Sequence, residues 1–467
     1  MVASEAAPFV KTGGLADVLG SLPAALVKRG NEVAVVVPRY RAAVIDSFER
    51  IWDQMPLSVG PHTFRVAIDQ VIRQGVRYLF VDCPPLYDRP GIYNEANVDY
   101  RDNHIRFALL NQAAIGIARH IFRPDVFHGH DWQAGLLAPY LRSTLAGDPT
   151  FFGAKCVLTI HNLGYQGNFW AVPMQEIGLD PVLYHTEGVE FNGMISFLKG
   201  GIVFSDAVTT VSPTYAREIQ TPEYGFGFDG LLRSRFYKLR GILNGVDYVD
   251  WSPETDPYIP AHFSAADLSG KAECKRHVLA EMGLPSHPDR PLIGIVSRFA
   301  DQKGFDLLAQ IAGPLAQQDV ALAVLGSGDK RFEDMFRYLA TARPDKFGVR
   351  IGYDNALAHR IEAGSDMFLM PSLYEPCGLN QIYSLHYGTV PIVRATGGLD
   401  DTVDDATGFK FAEYSGRALA GAIGEALHAW QSRDAWIERM RRGMARNFSW
   451  EASAAEYQKL YAEVASP

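Results

Sequence analysis

Two successive series of short apolar runs, each alternating with helical stretches, constrain the fold of this chain more than any other feature. The first series is EVAVVVP (Glu32–Pro38), VRYLFVD (Val76–Asp82), PDVFHGH (Pro124–His130) and KCVLTIH (Lys155–His161). These runs are rich in β-branched and aromatic residues and bounded by turn residues, which predicts strands. Helical stretches such as Asp17–Arg29 and Asn103–His120 lie between them. The second series is PLIGIVSR (Pro291–Arg298), VALAVLG (Val320–Gly326), DMFLMPS (Asp366–Ser372) and TVPIVRA (Thr389–Ala395). Strands this continuously apolar, separated by helices, predict parallel sheets covered on both faces. Two series predict two doubly wound α/β domains, and 467 residues are too many for one ordinary core.

The expected join is ILNGVDYVDWSPETD (Ile242–Asp256), where an Asn-Gly turn is followed by prolines and acidic residues. A last helix, about Trp450–Val464, fits against either domain by pattern alone. With 47% hydrophobic and 21% charged residues, the chain has material for globular cores and no disorder signature. No window approaches twenty apolar residues, and the N-terminus lacks the basic and apolar regions of a signal peptide. Cys83, Cys156, Cys274 and Cys377 are scattered, without CxxC pairing. That predicts a reducing, cytoplasmic setting and argues against a zinc site or a disulfide framework. A net charge of −9 argues against a nucleic-acid surface, so an anionic small substrate must be met by a local cluster of Lys and Arg.

One tetrapeptide occurs twice, as Thr12-Gly13-Gly14-Leu15 and as Thr396-Gly397-Gly398-Leu399. The second follows TVPIVRA directly. The first should follow a strand, although Met1–Ser4 leaves little room for one. Ligands of open α/β sheets sit beyond the carboxyl ends of the strands. Paired glycines there let backbone N–H groups approach a ligand, and a following helix start favours an anion. Either loop can equally be a tight strand-to-helix turn that meets no ligand. Arg298 ends a strand, Lys303 lies near the next helix start, and Lys11 precedes the first TGGL. Each alone reads as a surface cation; together they suit a diphosphate. Glu375, just after DMFLMPS, either accepts sugar hydroxyls or caps a helix.

HGHDWQAG places His130, Asp131 and Trp132 at a strand end, and TIHNLGYQG places His161 at the end of the next. A Trp beside polar groups suits a sugar face, but Trp also serves as core. No metal site is expected at His128, His130 and Asp131: alternation along a strand sends such side chains to opposite sides, and no third imidazole has suitable spacing. LGSGDKRF lacks the third glycine of a dinucleotide fingerprint, which argues against a nicotinamide cofactor.

KTGGLADV, HGHDWQAG, TIHNLGYQG, LNGVDYVDWSPETD, VSRFADQKGFDLL, RIGYDNALAHR and YEPCGLNQIYSLHYGTVPIVRATGGLDDTV, in this order, resemble the ADP-glucose-dependent bacterial glycogen synthase and plant starch synthase family. The resemblance runs to the FSWEASAAEYQKLY tail. It implies a GT-B fold, two Rossmann-like doubly wound domains facing a central cleft. It assigns residues 1–245, completed by a C-terminal helix at 447–467, to the first domain and 246–446 to the second. The implied reaction moves glucose from ADP-glucose to the nonreducing end of glycogen or another α-1,4-glucan, with retention and without a cofactor or metal.

The implied roles fall on individual residues. Lys11, Gly13 and Gly14 match a donor-binding loop, and Arg298 and Lys303 match the pair that neutralises the diphosphate. Thr396, Gly397 and Gly398 match the phosphate-binding loop of the second domain. Tyr353 matches an aromatic that packs against adenine. Glu375 matches a carboxylate that contacts the transferred glucose, and His161 lies beside that sugar. Asp131 and Trp132 match residues near glucose and acceptor, and Asn244 one that approaches the donor. On this reading each glycine loop serves the donor from its own domain.

Two departures stand out. The family normally has a few more apolar residues ahead of VASEAAPF, so either the sequence starts late or the first strand is short. A related family has a second glutamate eight residues after the position of Glu375; here Tyr383 stands there, as bacterial glycogen synthases lead one to expect. Another GT-B transferase and a silent glucan-binding protein are the alternative readings. The long KTGGLADV and EPCGLNQ matches oppose the first, and intact Lys11, Arg298, Lys303 and Glu375 oppose the second.

Overall fold

The computed structural model describes residues 1–96, 98–170 and 174–466. Its contacts divide the chain into two compact units. One comprises Met1–Val211, Ala216–Gly245 and the chain from Trp450; the other comprises Ser212–Tyr215 and Val246–Ser449.

The first unit opens on a loop and helix α1 (Gly14–Lys28). Strands β1 (Ala34–Pro38), β2 (Glu49–Val59), β3 (His62–Arg73) and β4 (Val76–Asp82) follow. After helix α2 (Asn103–His120) come β5 (Val126–His130), β6 (Lys155–Ile160), β7 (Ala207–Thr210) and β8 (Leu239–Gly241). The strands form two four-stranded runs, ordered β1-β4-β3-β2 and β8-β7-β6-β5. Val2 joins them, bridging in parallel to Val36 of β1 and Gly129 of β5. The expected short first strand is thus a single bridging residue. β1 pairs β4 in parallel, and β5 to β8 are parallel throughout. The β2–β3 and β3–β4 pairings are antiparallel. Most of β2 is solvent-facing, so it lacks the apolar continuity that marks the parallel strands. Helix α2 is buried along nearly its whole length and packs on β2. The C-terminal helix (Trp450–Ala465) packs along α1, where Trp450, Ala454, Tyr457 and Leu460 join Leu15, Leu19 and Leu22 in one apolar cluster.

The second unit holds a six-stranded, wholly parallel sheet. Its strands are β9 (Leu292–Phe299), β10 (Ala321–Gly328), β11 (Phe347–Ile351), β12 (Met367–Met370), β13 (Val390–Arg394) and β14 (Phe409–Phe411). Their order is β11-β10-β9-β12-β13-β14. In sequence terms this is 3-2-1-4-5-6, the Rossmann order, so the winding reverses between β9 and β12. Successive connections leave those two strands in opposite directions. A crevice therefore opens beyond their carboxyl ends, which is where such sheets bind ligands.

Candidate active site

The crevice of the second unit is built by close backbone approach. β9 ends at Arg298 and Phe299, and a short turn (Asp301–Lys303) leads to Gly304 at φ 73°. A Cβ on Gly304 would stand 1.9 Å from the carbonyl oxygen of Pro371, just past β12. Only glycine fits there, and the fit sets Lys303 beside the loop after β12. Lys303 Nζ lies 2.6 Å from Glu375 Oε2, and Ser372 Oγ donates to the same oxygen at 3.0 Å. Both contacts fall on Oε2, which leaves Oε1 for a ligand. Glu375 and Ser372 are buried, Lys303 is half-buried, and Arg298 is exposed, with no ion pair among the described residues. A cavity of about 180 Å³ is lined by Arg298, Lys303, Ser372, Glu375, Gly378 and Asn380, among others.

The second glycine pair supports that carboxylate. Thr396 is buried, and Gly397, at φ 46°, starts a short helix (Gly397–Thr402). Cβ atoms on Gly397 and Gly398 would stand 1.9 Å from the carbonyl oxygen of Glu375 and 2.0 Å from that of Cys377. The amide of Gly398 donates to Glu375 O at 3.1 Å. These glycines let the Glu375 loop close onto the helix start, and the Gly398 amide is engaged within the protein. Tyr353, past the end of β11, is 84% exposed, its hydroxyl donating to Asn355 Oδ1 at 3.2 Å. Tyr383 is buried and stacks on Trp251 with ring centroids 4.1 Å apart. It packs the linker and offers no carboxylate to the crevice.

In the first unit, Lys11, Thr12, Gly13 and Gly14 are all exposed. Among the described residues neither glycine has a neighbour within 4 Å of a built Cβ, and neither has a positive φ. The two TGGL loops therefore differ: packing demands the second pair of glycines and leaves the first pair optional. The first loop is anchored by Glu5, a buried carboxylate that sequence reasoning passed over. Thr12 donates to it through its amide and, at 2.7 Å, through its hydroxyl, and the Tyr93 hydroxyl is a third donor. The signal was a lone acid inside the apolar VASEAAPF. Lys11 Nζ pairs with Asp17 Oδ1 at 2.7 Å.

At the carboxyl end of β5, Asp131 adopts φ 57°, unusual for a residue with a side chain. Its Oδ1 accepts from the His161 amide at 2.7 Å, which fixes the turn after β6. Burial pushes the Asp131 carboxyl up to about 7 and the His161 imidazole down to about 3. His161 Nε2 meets His130 Nδ1 at 3.0 Å, and the rings of His130 and His128 lie 4.1 Å apart. This corrects the expectation that alternation separates these side chains. His128 and His130, two residues apart, share a face, and His161 from the next strand supplies a third imidazole. Among the described residues no group of three or more His, Cys, Asp or Glu side chains is arranged to hold a metal ion. Trp132 is half-buried in an aromatic cluster, 4.8 Å from Phe107 and 5.8 Å from Phe169 by ring centroid. Asn244 is buried with Oδ1 unpartnered among the described residues, just before Gly245, whose built Cβ would stand 2.6 Å from the Trp450 backbone.

Residues 1–234 match the family described as starch synthase catalytic domain, and residues 283–443 match glycosyl transferases group 1. A glycogen synthase of Koribacter versatilis (strain Ellin345) is 50% identical over 467 residues, covering 98% of this chain and 96% of its own. This chain belongs to the glycogen synthase family. A second member, from Anaeromyxobacter sp. (strain Fw109-5), is 47% identical over 487 residues, covering 100% of this chain and 99% of its own. The catalytic domain of starch synthase IV from Arabidopsis thaliana, solved bound to ADP and acarbose, superposes with a TM-score of 0.91 at 32% identity, over 100% of this chain and 99% of that one. Sucrose-phosphate synthase from Thermosynechococcus elongatus, at 18% identity and a TM-score of 0.60 over 99% of this chain and 98% of that one, shares the fold. The glycogen synthase family is a family of glycosyltransferases, and the fold is GT-B, with two Rossmann-like units. No described helix is long and apolar enough to cross a membrane.

Proposed function

We propose that this member of the family extends α-1,4-glucans, transferring glucose from ADP-glucose to a nonreducing end with retention and releasing ADP. The observation that carries the reading is the grouping of Arg298, Lys303 and Glu375 at the switch point of the second sheet. Cleavage of the donor places negative charge on the departing ADP and oxocarbenium character on the sugar. Two cations at the carboxyl edge meet the first charge. Glu375, with Oε2 taken by Lys303 and Ser372, presents Oε1 to the sugar. The exposed ring of Tyr353 takes the adenine. Glu375 is bound up as an acceptor and orienting group rather than as a nucleophile. Same-face attack, with the leaving phosphate taking the acceptor's proton, fits these groups without a covalent intermediate.

On the first unit, the reading assigns Lys11, Gly13, Gly14 and Asn244 to the donor, His161 and Asp131 to the transferred glucose, and Trp132 to the acceptor side. In the second unit, Thr396, Gly397 and Gly398 act chiefly by seating the Glu375 loop. Four free, buried cysteines suit a reducing cytoplasm. The test is a radiolabelled transfer assay with glycogen, comparing ADP-glucose with UDP-glucose, run with and without excess EDTA. Transfer preferring ADP-glucose and indifferent to EDTA is expected. Binding of glycogen without transfer, or transfer restored only by magnesium, would overturn the reading.

A further inference from the structure

We propose that His130 is a positioning residue that fixes His161 as the tautomer carrying its proton on Nδ1, so that His161 meets the sugar as a hydrogen-bond donor and never as a base. The observation is a pair of imidazoles sharing one proton position. His130 Nδ1 and His161 Nε2 lie 3.0 Å apart, so one of them donates and the other accepts. His130 is fully buried, and its other nitrogen, Nε2, is buried with no partner among the described residues.

Two neutral arrangements satisfy the contact. In one, His161 Nε2–H donates to His130 Nδ1. His130 must then carry its own proton on Nε2, an N–H buried without an acceptor, which costs on the order of 1–3 kcal/mol. In the other, His130 Nδ1–H donates to His161 Nε2, and His130 Nε2 is a bare lone pair. Either arrangement leaves one buried nitrogen unsatisfied, and an orphaned buried donor is the rarer of the two defects. The second arrangement wins, and it places the His161 proton on Nδ1.

A doubly protonated His130 is excluded by its surroundings. Burial, with His128 and His161 as neighbours, holds its imidazole well below the usual range. His128 cannot redirect the proton, because its two nitrogens are already engaged by Tyr461 at 2.7 Å and Thr159 at 2.6 Å. His161 is half-buried, and among the described residues its Nδ1 has no hydrogen-bond partner, so it is the nitrogen left for a ligand. This inference rests on the assignment of His161 to the transferred glucose only for its kinetic consequence; the tautomer itself follows from the buried pair.

The experiment is a long-range proton–nitrogen correlation spectrum of the histidine rings in the full-length protein at neutral pH. His161 is identified by its absence from the spectrum of His161→Gln. A protonated Nδ1 and a bare Nε2 are expected. Protonation on Nε2, or on both nitrogens, would overturn the proposal. His130→Leu, which keeps the volume and removes the donor, should release the tautomer and lower kcat/KM for ADP-glucose by about three- to tenfold, the factor one misdirected hydrogen bond carries. His130→Asn, whose amide sits where Nδ1 was, should restore activity to within about twofold of wild type by the same measure. Unchanged kcat/KM in a folded His130→Leu would overturn the positioning role. Should that variant fail to fold, the wild-type tautomer still decides. A protein that moves no glucose from ADP-glucose would overturn the proposed function and leave the spectrum to judge His130.

Discussion

Lys303 Nζ lies 2.6 Å from Glu375 Oε2, and the two residues stand on loops that follow different strands, β9 and β12, of one parallel sheet. The contact exists because Gly304 lets the first loop lie against the backbone of Pro371. It ties the cation that would meet the leaving group to the carboxylate that would meet the sugar.

Removing the cation tests its timing. Lys303→Ala should lower kcat by roughly 10²–10³, as loss of one preorganised charge-stabilising donor does elsewhere. Some rise in KM should accompany it, since a ground-state diphosphate is already charged. Lys303→Arg should recover part of the rate, because the guanidinium fork is broader than an ammonium. Steady-state kinetics beside circular dichroism make the check. A folded Lys303→Ala enzyme with wild-type kcat at saturating donor would show Lys303 to be a surface lysine paired with Glu375 and nothing more.

Tyr353 offers a cleaner separation of fold from function. Its ring is 84% exposed, so Tyr353→Ala should leave thermal stability unchanged. Base-on-aromatic stacking contributes on the order of 1–3 kcal/mol in nucleic-acid complexes, a loose guide to the expected rise in KM for ADP-glucose. An unchanged KM would take Tyr353 out of the site.

The two glycine loops should respond in opposite ways to the same change. Gly398→Ala drives a methyl into the Cys377 carbonyl and should destabilise the protein by at least about 1–3 kcal/mol. Gly14→Ala meets no neighbour and sits at the first position of α1, so it should leave stability unchanged or raise it by about 0.5–1 kcal/mol. Its effect should fall on donor binding instead, as a raised KM. Thermal melts and donor titrations of both variants are the measurement. A Gly14→Ala enzyme with wild-type kinetics would reduce the first TGGL to a strand-to-helix turn.

Asp131 and His161 should tilt stability against pH in opposite directions. Burial lifts the folded Asp131 carboxyl from 3.8 to about 7. Between those values the native state binds more protons than the unfolded chain, so this group lowers stability as pH rises and its effect levels off above about 7. Burial lowers the folded His161 imidazole from 6.5 to about 3. The native state then binds fewer protons across that window, so stability rises with pH up to about 6.5. Urea titrations across this range should show Asp131→Asn gaining on the wild type as pH increases. The same titrations should show His161→Gln losing on it. Curves parallel to the wild type would refute both assignments.

The sequence by itself determined the elements whose residues carry their own signal. Continuous apolar runs marked β1, β4, β5 and β6 and the strands β9, β10, β12 and β13, and Asn103–His120 is the helix its pattern predicts. Strand ends then located Arg298, Lys303, Glu375, Asp131 and His161, because side chains at the carboxyl edge of a parallel sheet share one rim. Strands β2 and β3 stayed hidden because most of β2 faces solvent. The pattern of the last helix left its home open, since an apolar stripe does not name its partner; only the resemblance assigned it to the first domain, and in the structure it packs along α1 of that unit. The meaning of the repeated TGGL was likewise left to tertiary structure. Four identical letters stand in open solvent at Gly13 and Gly14, and against the carbonyls of Glu375 and Cys377 at Gly397 and Gly398. So were the anchoring of Thr12 by Glu5 and the pairing of His130 with His161. Such contacts are set by how loops and strands fold onto one another, from seven residues apart for Thr12 and Glu5 to 31 for His130 and His161, and local sequence patterns hold no information on which group will come that close.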